Sequence, residues 1–295
     1  MAYAPSLGGI VAFGGAKACG VDVLTDTLVW RWNGVAWSDA GMPFPSPRED
    51  ALVAFDTRRR TLVVHGGRNA AAVFRDTWEL DTAATRWRRR SAATDSNPGA
   101  LEHAGAAFDQ RRGRVVVFGG GSRDGRMFDA TWEWDGTVWR NVSSKAPPAR
   151  VGHSMAWSPT DSAVLLYGGF NPQGSFRDLW KWDGARWTQL DTAGPATTEG
   201  PALVAAENTV WLVGSPAGGS SSQTLGVWAR RQGRWVRLDR GAGPAPRVGQ
   251  GIAYDPARRR LVLYGGFFPD TNRGSSETWE FDGTAWRLVA GAVTP

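Results

Sequence analysis

A pair of adjacent glycines recurs along this chain at intervals of about 50 residues. An aromatic residue stands eleven positions before the first glycine in five of six cases, and a tryptophan follows further along each interval. The pairs are Gly14-Gly15, Gly66-Gly67, Gly119-Gly120, Gly168-Gly169 and Gly265-Gly266, with Gly214-Ser215 as a degenerate copy. A chain that repeats itself at this period folds as stacked or radial units, not as unrelated domains.

Each repeat contains four strand signals. In the segment Arg150–Trp187, a short run ends at Trp157, and Ala163–Tyr167 is an apolar strand stopped by the double glycine. Leu179–Trp182 forms a third strand, and Asp183-Gly184 predicts a two-residue hairpin turn leading to a fourth strand that opens at Trp187. Four strands per period are typical of a propeller blade.

The repeat divides the chain into six units within a single domain. Met1 aligns with Met155, in the middle of a first strand, so we expect the first blade to have a short or missing innermost strand, unless the natural protein extends upstream. The fifth unit differs most from the others, because its loop Pro216–Gln223 has diverged into a Gly/Ser-rich segment. Such a segment could serve as a mobile flap. The units span approximately residues 1–46, 47–98, 99–147, 148–196, 197–244 and 245–295.

The double glycine with two aromatic residues spaced behind it resembles the kelch repeat, over the whole chain. The resemblance implies an all-β, six-bladed β-propeller with four antiparallel strands per blade. It leaves the function open, since kelch propellers include adaptors, sugar oxidases and specifier proteins. It also offers three ligand-binding candidates, because kelch propellers that bind acidic peptides commonly use an arginine seven residues before the inner aromatic: here Arg48, Arg150 and Arg247.

Physical chemistry gives these arginines two possible roles. Guanidinium groups around a concave mouth would favour a carboxylate or phosphate by bidentate pairing. Alternatively, each arginine is structural and ties a loop to a carbonyl of the next blade. The recurrence of the arginine in several units supports this structural role, so the two roles stand about even. Weaker ligand-binding candidates on the same loop-rich face are Arg68, Asn69, Arg123, Asn171 and Gln250.

No catalytic motif is present, so any active site would be assembled from several blades. Glu102, His103, His153 and Glu199 come from successive units near the mouth, where they could serve as acid and base, or Glu102 and Glu199 could be solvated carboxylates. We interpret His65 as a packed residue. Three histidines and one cysteine do not map onto the copper site of kelch-like oxidases, and we expect no metal and no cofactor.

Composition restricts the partners. The formal charge is +6, but the arginines lie on separate hairpin tips and the tryptophans on strands, so we expect solvated turns and no nucleic acid partner. One cysteine excludes an internal disulfide, and no apolar run is long enough to span a membrane. We expect a cytoplasmic monomer, unless an upstream leader is missing.

Two classes of function remain. The first is a propeller that binds an acidic or polar ligand (a peptide, metabolite or glycan) at the loop-rich mouth of the axial channel. The second is a metal-independent enzyme, an isomerase, lyase or cyclase, that acts on a small molecule in the same pocket. Recognisable features support the scaffold and its mouth, which favours the binding class.

Overall fold

A computed structural model describes residues 1–14, 16–18, 21–23, 27–44, 46–83, 85–91, 96–142, 147–197, 200–216, 224–239, 241–271 and 273–291. It contains six four-stranded antiparallel sheets, arranged as the blades of a ring. The predicted six-bladed all-β propeller is therefore confirmed. Among the described residues, no helix has the length and apolar character needed to cross a membrane.

In each blade the strands follow chain order from the axis outward. Blades 1 and 2 contain a short 3-10 turn (Pro5–Leu7) and β1 (Ala2–Ala4), β2 (Gly9–Phe13), β3 (Ala16–Ala18), β4 (Val21–Val23), β5 (Val29–Trp32), β6 (Trp37–Asp39), β7 (Leu52–Asp56), β8 (Thr61–His65), β9 (Thr77–Asp81) and β10 (Arg86–Ser91). Blades 3 and 4 contain β11 (Gly105–Asp109), β12 (Arg114–Phe118), β13 (Thr131–Trp134), β14 (Trp139–Asn141), β15 (Ser154–Ser158), β16 (Ala163–Tyr167), β17 (Phe170–Asn171), β18 (Gly174–Ser175), β19 (Leu179–Trp182) and β20 (Trp187–Asp191). Blades 5 and 6 contain β21 (Ala202–Ala206), β22 (Thr209–Gly214), β23 (Gly226–Arg231), β24 (Arg234–Arg237), β25 (Gly251–Asp255), β26 (Arg260–Tyr264), β27 (Phe267–Phe268), β28 (Arg273–Gly274), β29 (Thr278–Phe281) and β30 (Trp286–Ala290).

The inner strand of the first blade is shorter than the others. β1 has three residues, whereas the inner strands of the other five blades have five each. This agrees with the expected short strand.

The hairpins between third and fourth strands were predicted correctly, but not their turn type. Trp182 pairs with Trp187, so the loop has four residues, and in it only Gly184 has a positive φ, of 101°. The side chain of Asp183 accepts hydrogen bonds from the backbone N–H groups of Ala185 and Arg186. Asp183 therefore stabilises the turn by accepting backbone hydrogen bonds with its side chain, as in an Asx turn. It does not adopt a positive φ, as a two-residue Asp-Gly turn would require.

Tryptophans join neighbouring blades by hydrogen bonds as well as by packing. The indole N–H of Trp134 in blade 3 donates to Glu79 in blade 2 at 2.8 Å, and that of Trp139 donates to Thr77 at 2.8 Å. The same pair of bonds joins blade 4 to blade 3 through Trp182 to Glu133 and Trp187 to Thr131. Buried indoles need such acceptors, and here the acceptors belong to the neighbouring blade.

The ring closes with the same bonds. Trp32 of blade 1 donates to Glu280 of blade 6 at 2.9 Å, and Trp37 donates to Thr278 at 2.8 Å. Blade 1 forms all four of its strands from the start of the chain. Closure therefore depends on side chains between blades 1 and 6 and not on a strand contributed by the other end.

Part of the expectation for the hairpin arginines was wrong. Arg59 was expected to be a solvated turn residue, but it pairs with Asp56 at 2.7 Å and with Glu79 at 2.7 Å. Glu79 is the carboxylate that also accepts from Trp134. Equivalent pairs are formed by Arg112 with Asp109 and Glu133, and by Arg258 with Asp255 and Glu280. One arginine per such hairpin is thus part of the junction between blades.

The double glycines allow close packing at the loop-rich face. Gly168 and Gly169 have φ values of 72° and 85°, and a Cβ at Gly169 would lie 2.6 Å from the carbonyl oxygen of Val151. Val151 and Phe170 form an isolated bridge at this point. The glycines thereby bring the connection before an inner strand against the loop of the same blade.

Candidate functional site

The three recurring arginines are buried inside their own blades. Arg150 donates from Nη1 to the carbonyl oxygen of Gly168 at 2.9 Å, and from Nη1 and Nη2 to the two carboxylate oxygens of Asp178 at 2.6 and 2.9 Å. Its guanidinium also lies 3.9 Å from the ring centroid of Phe176. Arg48 pairs with Asp76, and Arg247 with Glu277, and all three arginines are at most 1% exposed.

This geometry corresponds to the second of the two roles considered for the arginines, with one difference. The carbonyl groups that they bind belong to the same blade and not to the next one. Because the carboxylates and carbonyls already occupy most donors, the guanidinium groups act as internal ties for the loops. Of the three, Arg48 also borders a cavity at the mouth.

The carboxylates before the third strands accept hydrogen bonds from side chains. Asp178 accepts from Arg150 and, at 2.7 Å, from the indole N–H of Trp180. Asp76 binds Arg48 and Trp78 in the same way, and Glu277 binds Arg247 and Trp279. The pKa of Asp76 is lowered: burial opposes the shift, but the hydrogen bonds from Arg48 and Trp78 outweigh it.

A cavity of about 560 Å³ opens on the loop-rich face between blades 6 and 2. Phe13 and Val53 contribute to its apolar wall. Its polar groups include the carboxylates of Glu49 and Asp50 and the amide of Gln250, whose Oε1 is buried without a hydrogen-bond partner. A cavity of this size with a few polar groups is typical of a small-molecule site. Further residues of its wall are Tyr264, Phe267 and Ser276.

Blades 2 and 3 carry polar residues where blades 4 and 6 carry glycine. Asp50 and His103 have φ values of 55° and 53°, in the register of Gly152 and Gly249, whose φ values are 65° and 68°. A left-handed conformation costs a non-glycine residue free energy, although Asp and His tolerate it better than most. The two side chains meet, with Nδ1 of His103 3.5 Å from Oδ1 of Asp50.

Arg68 extends this cluster. Its Nε lies 3.2 Å from Glu49 and 3.2 Å from Asp50. In blade 4 the residue that corresponds to Arg68 is Phe170, and the residue that corresponds to Asp50 is Gly152. The ring of Phe170 packs over Gly152. At these two positions blade 2 therefore has an ion pair, Arg68 with Asp50, where blade 4 has an apolar contact. Burial, and next the charge of Asp50, raise the pKa of Glu49.

The candidate catalytic residues do not form one group in the described structure. Glu102 precedes His103 at the mouth, and its Oε1 is buried without a partner. His153 lies inside the wall, where its Nε2 accepts from the backbone N–H of Gly105 at 3.1 Å, and burial lowers its pKa to about 3. A histidine with that pKa is neutral at pH 7. Glu199 and most of the predicted flap, residues 217–223, lie outside the described residues.

The remaining predicted ligand-binding residues have varied environments. Asn69 and Asn171 brace their loops, since each donates from its amide to a backbone carbonyl at 3.2 Å. Arg123 is exposed on a loop tip. Gln250 lines the cavity. His65 is packed as expected: its ring nitrogens lie 3.0 Å from Thr77 Oγ1 and from the carbonyl oxygen of Gly99, and burial lowers its pKa to about 4.

Sequence reasoning missed Glu49, Asp50 and Tyr264. The signal was present in the repeat register, because Glu49-Asp50 and Glu102-His103 align with Val151-Gly152 and Val248-Gly249. Comparing units position by position would have identified the two blades that depart from the pattern. The position of Tyr264 beside the cavity depends on the first blade and needs the structure.

The chain resembles parts of several large eukaryotic proteins. It is 29% identical over 147 residues to Multiple epidermal growth factor-like domains protein 8 of Homo sapiens, a match that covers 48% of this chain and 5% of that protein. It is 28% identical over 174 residues to Adagio-like protein 1 of rice (56% and 27%), and 28% identical over 158 residues to tRNA wybutosine-synthesizing protein 4 of Emericella nidulans (46% and 14%). The chain thus spans about a quarter or less of each of these relatives. No family model matches the chain.

Proposed function

We propose that this protein is a kelch-type propeller that binds a polar ligand at the loop-rich mouth, in the cavity bordered by Glu49, Asp50 and Gln250. The propeller fold fits a binding or scaffold role. The observation that carries the proposal is the contact between Asp50 and His103. Both occupy a costly left-handed conformation that blades 4 and 6 give to glycine, and such strain is often retained at functional sites.

The character of the cavity narrows the ligand. The three recurring arginines, which suggested an acidic ligand, are paired with carboxylates, so they offer little to an anion. Arg48 borders the cavity but is paired with Asp76, whereas Gln250 Oε1 borders it without a partner. Glu49 and Asp50 add two carboxylates that share one arginine, Arg68. A ligand that donates hydrogen bonds, such as a glycan, a polyol or an amine, would satisfy these acceptors.

A thermal-shift screen against sugars, polyols, amines and anionic metabolites tests the proposal. A ligand that binds only the folded protein stabilises it by about 2.7 kcal/mol at one hundred times its dissociation constant. The shift should disappear in Asp50→Asn and in Gln250→Ala. Asp270→Asn is the matched control, because Asp270 is an exposed carboxylate of a blade-6 loop that does not line the cavity.

Two outcomes would contradict the proposed site, and a third would change the proposed class of function. A ligand whose shift survives both cavity variants binds elsewhere. A screen in which hydrogen-bond donors fail while anions bind, with the shift lost on removal of Arg68, would assign the mouth to an acidic ligand. A ligand that binds at the mouth and is consumed would move the protein to the alternative class, the metal-independent enzymes, with the Asp50–His103 pair as the candidate base.

A further inference from the structure

The outer edge of blade 2 differs from the outer edges of the other five blades. Strand β10 has six residues, whereas β6, β14, β20, β24 and β30 have three to five. It is the outermost strand of its sheet, so one side of its backbone pairs with β9 and the other with no strand of the described chain. Four of its six residues are arginines: Arg86, Arg88, Arg89 and Arg90.

These arginines are only partly neutralised. Arg90 lies 3.2 Å from Glu79 and donates to the carbonyl oxygen of Gly136 at 2.8 Å. Glu79 is also bound by Arg59 and Trp134, so its acceptor capacity is largely used. Within the described residues, no carboxylate lies in ion-pair range of Arg86, Arg88 or Arg89, and all three are exposed.

Alternation along the strand arranges the free charges. Side chains at i and i+2 point to the same face of a sheet, about 6.7 Å apart. Arg86 and Arg88 therefore lie on one face of the blade and Arg89 on the other, whereas Arg90 lies at a β-bulge between Arg89 and Ser91, where the alternation is interrupted. Edge strands often carry a charge that discourages aggregation. The other five outer strands have no more than two arginines each, so edge protection alone does not require four.

We propose that β10 is a docking edge for an extended acidic peptide segment, which adds to blade 2 as a fifth strand. The unpaired backbone groups of β10 would supply the main-chain hydrogen bonds of strand addition, and alternate carboxylates of the peptide would pair with Arg86 and Arg88. This site is separate from the mouth and does not depend on the proposed ligand.

Charge complementarity favours a peptide over the other polyanions. Single-stranded nucleic acid needs aromatic side chains on which bases stack. The one aromatic residue of β10 is Trp87, whose indole donates to the carbonyl oxygen of Met42 at 3.2 Å and whose ring packs 4.6 Å from that of Phe44. Its indole is therefore packed inside the protein and is not available for stacking on bases.

Fluorescence anisotropy with a labelled (Glu-Thr)4 peptide tests the docking edge in the full chain. We expect saturable binding that weakens with salt and falls at least tenfold in Arg86→Gln/Arg88→Gln. Arg287→Gln, an exposed arginine on the outer strand β30, should change the affinity less than twofold. A thermal melt of the double variant checks that its fold is intact.

Two further probes separate the alternatives. The same peptide with alternate backbone amides N-methylated cannot pair with an edge, and it should lose at least tenfold in affinity. Equal binding of the methylated peptide, equal binding to the double variant, or tighter binding of oligo-dT or a heparin fragment than of the peptide would each overturn the proposal.

Discussion

The side chains of Asp50 and His103 meet 3.5 Å apart at the mouth of the propeller, although they belong to different blades. Each occupies the left-handed position that glycine fills in blades 4 and 6. A repeat protein offers an internal standard for such departures, because the unmodified blades show what the scaffold requires. By that standard blades 2 and 3 depart from blades 4 and 6 at both of these positions.

Restoring glycine at these two positions should leave the fold intact. Glycine adopts φ values near 55° without steric cost, so relief of strain offsets the loss of partly exposed ion pairs worth about 0–1 kcal/mol each. We expect the free energy of unfolding of Asp50→Gly/His103→Gly, measured in urea, to stay within about 1 kcal/mol of the parent value. A loss above about 2 kcal/mol would make this pair a structural element.

Removing Arg150 should be costly. The substitution Arg150→Ala leaves the buried carboxylate of Asp178 with Trp180 as its remaining side-chain donor, and breaking a buried pair typically costs about 3–5 kcal/mol. Arg123→Ala is the control, since an exposed loop arginine should change stability by no more than about 0.5 kcal/mol. Equal effects of the two substitutions in denaturant unfolding would contradict the assignment of Arg150 as an internal tie.

Ring closure should be as strong as the junctions inside the ring. Glu280→Ala removes the acceptor of Trp32 and the partner of Arg258, and Glu133→Ala removes the equivalent groups between blades 3 and 4. Leaving such donors unpaired costs about 1–3 kcal/mol. We expect similar losses for the two variants in thermal unfolding. A clearly smaller loss for Glu280→Ala would show that blades 1 and 6 are held together by other contacts.

Stability should fall as the pH is lowered below 6.5, because two buried histidines stay neutral in the folded protein. Burial lowers the pKa of His65 to about 4 and that of His153 to about 3, so below 6.5 the unfolded chain binds protons that the folded chain does not. At pH 5 each histidine should cost about 2 kcal/mol relative to pH 7. In His65→Phe, which carries the residue that blade 3 has there, the loss between the two pH values should be smaller by about that amount. An unchanged loss would mean that His65 is protonated in the fold.

The repeat made the architecture predictable, since its period, double glycines and paired tryptophans are read directly from the sequence. Ala163–Tyr167 and Leu179–Trp182 coincide with β16 and β19. Long-range pairing was not predictable, because nothing in the spacing shows that Glu79 accepts from Trp134, 55 residues away. For the same reason the roles of the arginines remained open until the structure placed Asp178 beside Arg150.

The most direct test of the proposed mouth site is isothermal titration calorimetry with the strongest ligand of the screen. The titration compares the parent protein with Asp50→Gly/His103→Gly and with Asp270→Asn. We predict at least tenfold weaker binding to the double glycine variant, whose stability is preserved, and unchanged binding to the control. Equal affinity of all three proteins would contradict the claim that blades 2 and 3 form the binding site.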